Sequence, residues 1–94
     1  MATKIVMYTS NSCSKCKRAK EMLSNCPVEV NLEERNVDVD KKHFEKLKEV
    51  IRSNSLPTFL IKDTHGSIEE NGEMYQELIG FDENIGKIRE HLGL

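Results

Sequence analysis

Cys13-Ser14-Lys15-Cys16 places two thiols three residues apart where an apolar run, Ile5-Val6-Met7-Tyr8, passes through a polar turn, Thr9 to Ser12, into a stretch of helical spacing. Cysteines so spaced at the start of a helix stand about one turn apart, within the Cα separation that a disulfide needs. The first also lies beside the helix's unsatisfied N–H groups, which stabilise an anion. A thiolate favoured at neutral pH, with a second thiol in reach, is the minimum equipment for thiol–disulfide exchange. Lys15 can further favour the thiolate or draw in an anionic substrate, although with Lys17, Arg18 and Lys20 it also makes an ordinary solvated helix face.

A metal is the competing use of the same side chains. Structural zinc takes four ligands, and only Cys26, His43, His65 and His91 are left to complete a set. They are scattered, with no second closely spaced pair, so no metal site is assigned. Cys26, before Pro27, reads as a helix-end cysteine without catalytic duty, and the three histidines as surface residues.

The elements that must position the pair follow from the pattern. At 94 residues the chain is expected to form one domain over 1–94, large enough for a core without staples. A charged fraction of 32% and a net charge of −2 give nucleic acid no basic face to bind. Apolar runs of four or five residues are too short to span a membrane, and Met1-Ala2-Thr3-Lys4 lacks the apolar core of a leader, so the cytoplasm is the expected location. In a reducing compartment a close cysteine pair is more often catalytic or metal-binding than structural.

Residues 4–8 read as a strand covered on both faces. A helix is expected from Ser14 to Asn25 with Cys16, Ala19, Met22 and Leu23 on one face, ended by Pro27. The second strand falls near Leu32 to Val37. Val28, Val30 and Leu32 alternate in one register and Val37 and Val39 in the other, implying a bulge or two extended pieces. Asp40 caps a helix with the stripe Phe44, Leu47, Val50 and Ile51. Thr58-Phe59-Leu60-Ile61 is a third strand. A turn at Asp63 to Gly66, a polar loop through Asn71-Gly72 and a strand from Met74 to Ile79 make an extended hairpin. Asp82 caps a last helix carrying Ile85, Ile88 and Leu92, with Gly93 just past its end. The order is β-α-β-α-β-β-α, with the first two strands parallel and helices on both faces of a four-stranded mixed sheet.

Met7-Tyr8-Thr9 with Cys13 and Cys16, Asn36-Val37-Asp38, Leu56-Pro57-Thr58-Phe59, and Ile79-Gly80-Phe81-Asp82-Glu83 occur in the order and on the elements that resemble the thioredoxin superfamily, most closely the glutaredoxins. The resemblance spans nearly the whole chain and implies a thioredoxin-like α/β fold. It implies that Cys13 attacks, Cys16 resolves, and Pro57 is cis and faces the disulfide. The backbone of Leu56 would pair with substrate, and Asp82 with Glu83, beside Gly80-Phe81, would hold the glutamyl end of glutathione. The implied activity is reduction of protein disulfides or glutathione mixed disulfides by a monomer that keeps no permanent cofactor and draws electrons from glutathione. The chain departs from the family pattern at Ser10, where a lysine is common, at Ser14-Lys15 between the cysteines, at Ile79-Gly80 in place of paired glycines, and in a longer segment from Pro57 to Gly80. Two alternatives stand beside it. One is a thioredoxin-like electron donor recycled by a flavoprotein reductase, for example toward ribonucleotide reductase; the other is a module holding a metal or an iron–sulfur cluster.

Overall fold

The structure, a computed structural model, describes residues 3–94; Met1 and Ala2, the start of the N-terminal segment considered above, lie outside the described residues. Strand β1 (Thr3–Thr9) runs through the middle of the molecule, and its side chains from Ile5 to Thr9 are all buried. A strand that is apolar at successive positions needs cover on both faces, and alternate residues here feed two separate cores. Ile5 and Met7 point to one, with Phe59, Leu78, Cys16, Ala19, Leu23 and Ile88. Val6 and Tyr8 point to the other, with Leu60, Tyr75, Ile68, Leu47 and Ile51.

The elements come as β1, α1 (Ser14–Ser24), β2 (Val30–Asn36), α2 (Lys41–Lys46), β3 (Thr58–Lys62), β4 (Ile68–Glu70), β5 (Glu73–Ile79) and α3 (Ile85–His91). They form a five-stranded sheet in the order β2-β1-β3-β5-β4, with β1 and β2 parallel and the other pairs antiparallel. The α/β architecture is the expected one with a strand added. The segment read as a polar loop contains β4, which doubles back on β5 through Asn71-Gly72, both at positive φ (52° and 81°), the requirement of a type I′ hairpin turn. At the other end of β4, Gly66 passes so close to β5 that an added Cβ would run into the Tyr75 carbonyl. Gly66→Ala is expected to pry β4 away and cost about 1–3 kcal/mol, seen as a lower melting temperature.

Three further expectations are corrected. Strand β2 has no bulge: its register runs unbroken from Thr3↔Val30 to Thr9↔Asn36. Val37 and Val39 belong to the turn that follows, where Val39 is 78% exposed. The alternation failed because β2 presents Glu33 and Arg35, not apolar residues, beside Val6 and Tyr8.

The stripe on α2 is also shifted. Asp40 does cap the helix, its carboxylate accepting the Lys42 N–H at 2.9 Å. However, Phe44 and Val50 are about half exposed, while Leu47 and Ile51 are buried. The inward line is instead His43, Lys46, Leu47 and Ile51, because charges occupy the sheet face below. Arg35 makes two parallel bonds to Glu70 (2.6 and 2.7 Å) and donates to the Tyr8 hydroxyl at 2.8 Å, while Lys46 pairs with the same Glu70 and His43 packs edge-on against the Tyr8 ring. The last turn, Leu47–Ile51, widens to π-type bonding and stops at Arg52, whose φ is +61°.

Asp82, finally, does not cap α3. Residues Asp82–Asn84 form a short 3₁₀ turn, α3 begins at Ile85, and neither the turn nor the helix has a side-chain cap at its N-terminus. Asp82 is turned toward α1 instead, as described next.

Candidate active site

Helix α1 opens at Cys13, which is extended (φ −88°, ψ 102°) and serves as the N-cap: its Sγ accepts the Cys16 N–H at 3.1 Å. Ser, Asp and Asn usually hold this position because an acceptor there satisfies an orphan donor. A sulfur in their place receives the same N–H and the positive end of the helix. In the structure Cys13 and Cys16 are joined as a disulfide with a Cα separation of 5.3 Å. They differ in access: Cys13 is half-buried, whereas Cys16 is 1% exposed in the core with Ala19, Phe59 and Phe81. After reduction, the Cys13 thiol is expected to titrate well below the free-thiol value of about 8.5, since the helix end stabilises its charge. Thiolate absorbance followed against pH in Cys16→Ser measures this, and a value near that of a free thiol would count against a nucleophilic role.

Thr9, Asn36 and Asp38, quoted above only for the resemblance, and Lys20, quoted only for a solvated face, join Glu34 and Asn11, which the sequence did not single out, in holding the turn before Cys13. Thr9, buried at the end of β1, donates to the Glu34 carboxylate at 2.7 Å, and Lys20 of α1 reaches the same carboxylate at 3.1 Å. The Thr9 hydroxyl foremost, then Lys20, holds the Glu34 carboxyl below its ordinary range against the opposing effect of burial. Asp38 accepts the Asn11 N–H at 2.8 Å, and Asn36 donates to the Asn11 side chain at 2.9 Å. A recess of about 440 Å³ lies between these groups and the cysteines, lined by Cys13, Cys16, Ser10, Asn11, Lys17 and Glu34. A larger cleft of about 940 Å³ between β5 and α3 contains neither cysteine.

The Leu56–Pro57 peptide is cis, as the resemblance implied. Pro57 is buried, and Leu56, half-buried, packs against both cores. Polar residues set the loop that carries them. Ser53 and Thr58, both buried, lie 2.7 Å apart through their hydroxyls, and Thr58 donates to the Ser55 carbonyl at 2.7 Å. The Pro57 carbonyl accepts the Gly80 N–H at 2.9 Å, which ties this loop to the end of β5. Gly80 has φ +95°, and a Cβ there would meet the Glu83 carboxylate. Asn84 fixes the turn by donating to the carbonyls of Ile79 and Gly80 at 2.8 and 2.9 Å.

Phe81 is buried against Phe59 and the Cys16 core. The Arg18 guanidinium of α1 lies over the Phe81 ring, 5.6 Å from its centre, and donates to Asp82 at 2.7 Å. Lys15 Nζ stands 3.9 Å from the same carboxylate. The structure therefore brings Lys15 and Asp82 together beside the cysteine helix, with Lys15 turned to Asp82. Arg18, read from the sequence only as part of a solvated face, joins them. Glu83 is exposed at the Gly80 turn.

The remaining candidates lie apart. Cys26 is free and half-buried, its thiol bonded to the Met22 carbonyl at 3.3 Å. Among the histidines only His65 is fully at the surface; His43 and His91 are partly buried, and His91 Nε2 is buried without a partner. Among the described residues no group of three or more His, Cys, Asp or Glu is placed to hold a metal.

The glutaredoxin family model matches residues 5–65, from β1 through the cysteine pair and the cis-proline to the turn after β3. The chain belongs to the glutaredoxin family. Among solved structures, this glutaredoxin is similar to the thioredoxin-like protein BC3987 at 30% identity and a TM-score of 0.68, over 94% of this chain and 99% of that one. It is likewise similar to the glutaredoxin from Methanosarcina mazei Go1 at 32% identity and a TM-score of 0.64, over 98% of this chain and 80% of that one. No curated protein matches it. The fold of this glutaredoxin is thus thioredoxin-like, and family and cysteine pair together make it a thiol–disulfide oxidoreductase.

Proposed function

We propose that this glutaredoxin reduces protein disulfides and glutathione mixed disulfides through Cys13 and Cys16. The reading is carried by the unequal settings of the two sulfurs: Cys13 is accessible at a helix N-cap and Cys16 is buried behind it. The Cys13 thiolate attacks a substrate sulfur, the substrate S–S bond breaks, and one substrate thiolate leaves. Cys16, losing its proton, then attacks Cys13 Sγ, forming the intramolecular disulfide and releasing the second thiol. Leu56 offers its backbone to the substrate next to Pro57, and Gly80, Phe81, Asp82 and Glu83 border the glutathione end. Two glutathione molecules return two electrons to the disulfide in successive exchanges and leave joined as glutathione disulfide. The working form is a monomer in the cytoplasm, where thiols stay reduced. Among the described residues no helix is long and apolar enough to cross a membrane.

One observation favours the second reading, a donor recycled by a flavoprotein reductase. The Asp82 carboxylate assigned to glutathione already has two cationic neighbours, Arg18 and Lys15. A coupled assay separates the two. Turnover of a protein disulfide is measured with glutathione and glutathione reductase, and in parallel with thioredoxin reductase. Turnover in the first arm supports glutathione as the reductant; turnover confined to the second transfers the assignment to the reductase-dependent donor.

A further inference from the structure

We propose that Arg18 is a specificity-determining residue, which masks Asp82 and so weakens recognition of the ammonium group on a thiol bound at Cys13. The inference rests on the glutathione reading above. Asp82 is the carboxylate on the Gly80–Glu83 turn that faces α1, and its Oδ1 accepts from Arg18 at 2.7 Å while Oδ2 lies 3.9 Å from Lys15. Arg18 is held in that position by its second contact, the Phe81 ring at 5.6 Å. Phe81 is itself buried against the Cys16 core, so the clamp is anchored.

A ligand ammonium approaching Asp82 meets a carboxylate whose charge is largely answered and two cations that repel it. Capture requires displacement of the guanidinium. The three side chains are 46–57% exposed, so the effect is that of a solvated ion pair and not of a buried one. A thiol without an ammonium loses nothing by this arrangement. The mask therefore lowers discrimination in favour of glutathione and leaves the site open to disulfides on protein side chains.

Glutathione and N-acetylglutathione differ at that ammonium and test the idea directly. Each is presented as a mixed disulfide with one peptide, and single-turnover transfer to reduced Cys16→Ser protein is followed. The Cys13 thiolate attacks the glutathione sulfur, the glutathione–peptide S–S bond breaks, a Cys13–glutathione S–S bond forms, and the peptide thiolate leaves with the electron pair. With Arg18 present, the two carriers are expected to react at rates within about twofold of each other. Arg18→Met, which keeps an unbranched stem over Phe81, is expected to raise the preference for unmodified glutathione about three- to fivefold. Adding Asp82→Asn should remove that gain. An unchanged preference in Arg18→Met, or a gain that survives Asp82→Asn, overturns the role of Arg18 while leaving glutathione chemistry standing. Failure of both carriers in all three proteins overturns the glutathione reading and this inference with it.

Discussion

Cys13→Ser is expected to reduce every thiol-exchange activity of this glutaredoxin to the uncatalysed background, whereas Cys16→Ser should divide the activities. A serine hydroxyl at position 13 would keep the helix cap, since it can accept the residue 16 N–H as the sulfur does. It would not supply a thiolate, so the protein should fold and fail only in chemistry. Cys16→Ser retains the accessible sulfur and loses the one that resolves the mixed disulfide from within. Removal of glutathione from a glutathionylated peptide should continue, because a second glutathione can attack in place of Cys16. Reduction of protein disulfides by the dithiol route should stop, with the mixed disulfide on Cys13 accumulating. Mass spectrometry of the trapped adduct and a glutathione-coupled assay read the two outcomes. A Cys16→Ser protein inactive with glutathione, beside a wild type readily reduced by thioredoxin reductase, would assign the protein to the reductase-dependent class.

The largest effect on stability is expected at Glu70. Its side chain is 8% exposed and lies between the Arg35 fork and Lys46, beneath α2. Bonds from Arg35 foremost, with Lys46 adding, hold its carboxyl at about 2, against the opposing effect of burial. Glu70→Gln would leave a guanidinium, 13% exposed, without its main counter-charge. Breaking such a pair on one side costs about 3–5 kcal/mol, a large share of the total for a domain of this size. Removing both partners, Arg35→Met with Glu70→Leu, should cost less than the sum of the single changes, because the two least exposed charges leave together and only the more exposed Lys46 and Glu33 lose a partner. The same cluster sets an acid limit. Glu70 has a lower pKa folded than unfolded, so the unfolded chain binds more protons in between and stability rises with pH there. The contribution is complete above the ordinary carboxylate value of about 4.3 and is lost as pH falls toward about 2. Urea melts across that range should show wild type losing stability on acidification and the Glu70→Gln protein losing less.

Sequence by itself marked the close cysteine pair and the order of elements, save for β4. The Cys13-x-x-Cys16 spacing at a strand-to-helix junction is a local feature, and local features are legible when period, cap and breaker agree, as they do for β1, α1 and the Asp40 cap. Tertiary structure decided what depends on partners far along the chain. Glu33 and Arg35 made β2 hard to phase because their place on the sheet is justified only by Tyr8, Glu70 and Lys46 from other elements. Phe44 looked like core by spacing, but that same charged cluster displaced it to the surface. Asp82 had the residue type and position of a cap, yet a 3₁₀ turn delays α3 to Ile85, and the carboxylate pairs instead with Arg18, 64 positions earlier. Residue type and spacing therefore marked out the Cys13–Cys16 pair. The surroundings that govern access to them, the Gly80 turn held by Asn84 and the Arg18–Asp82 clamp, depend on contacts that only the folded chain creates.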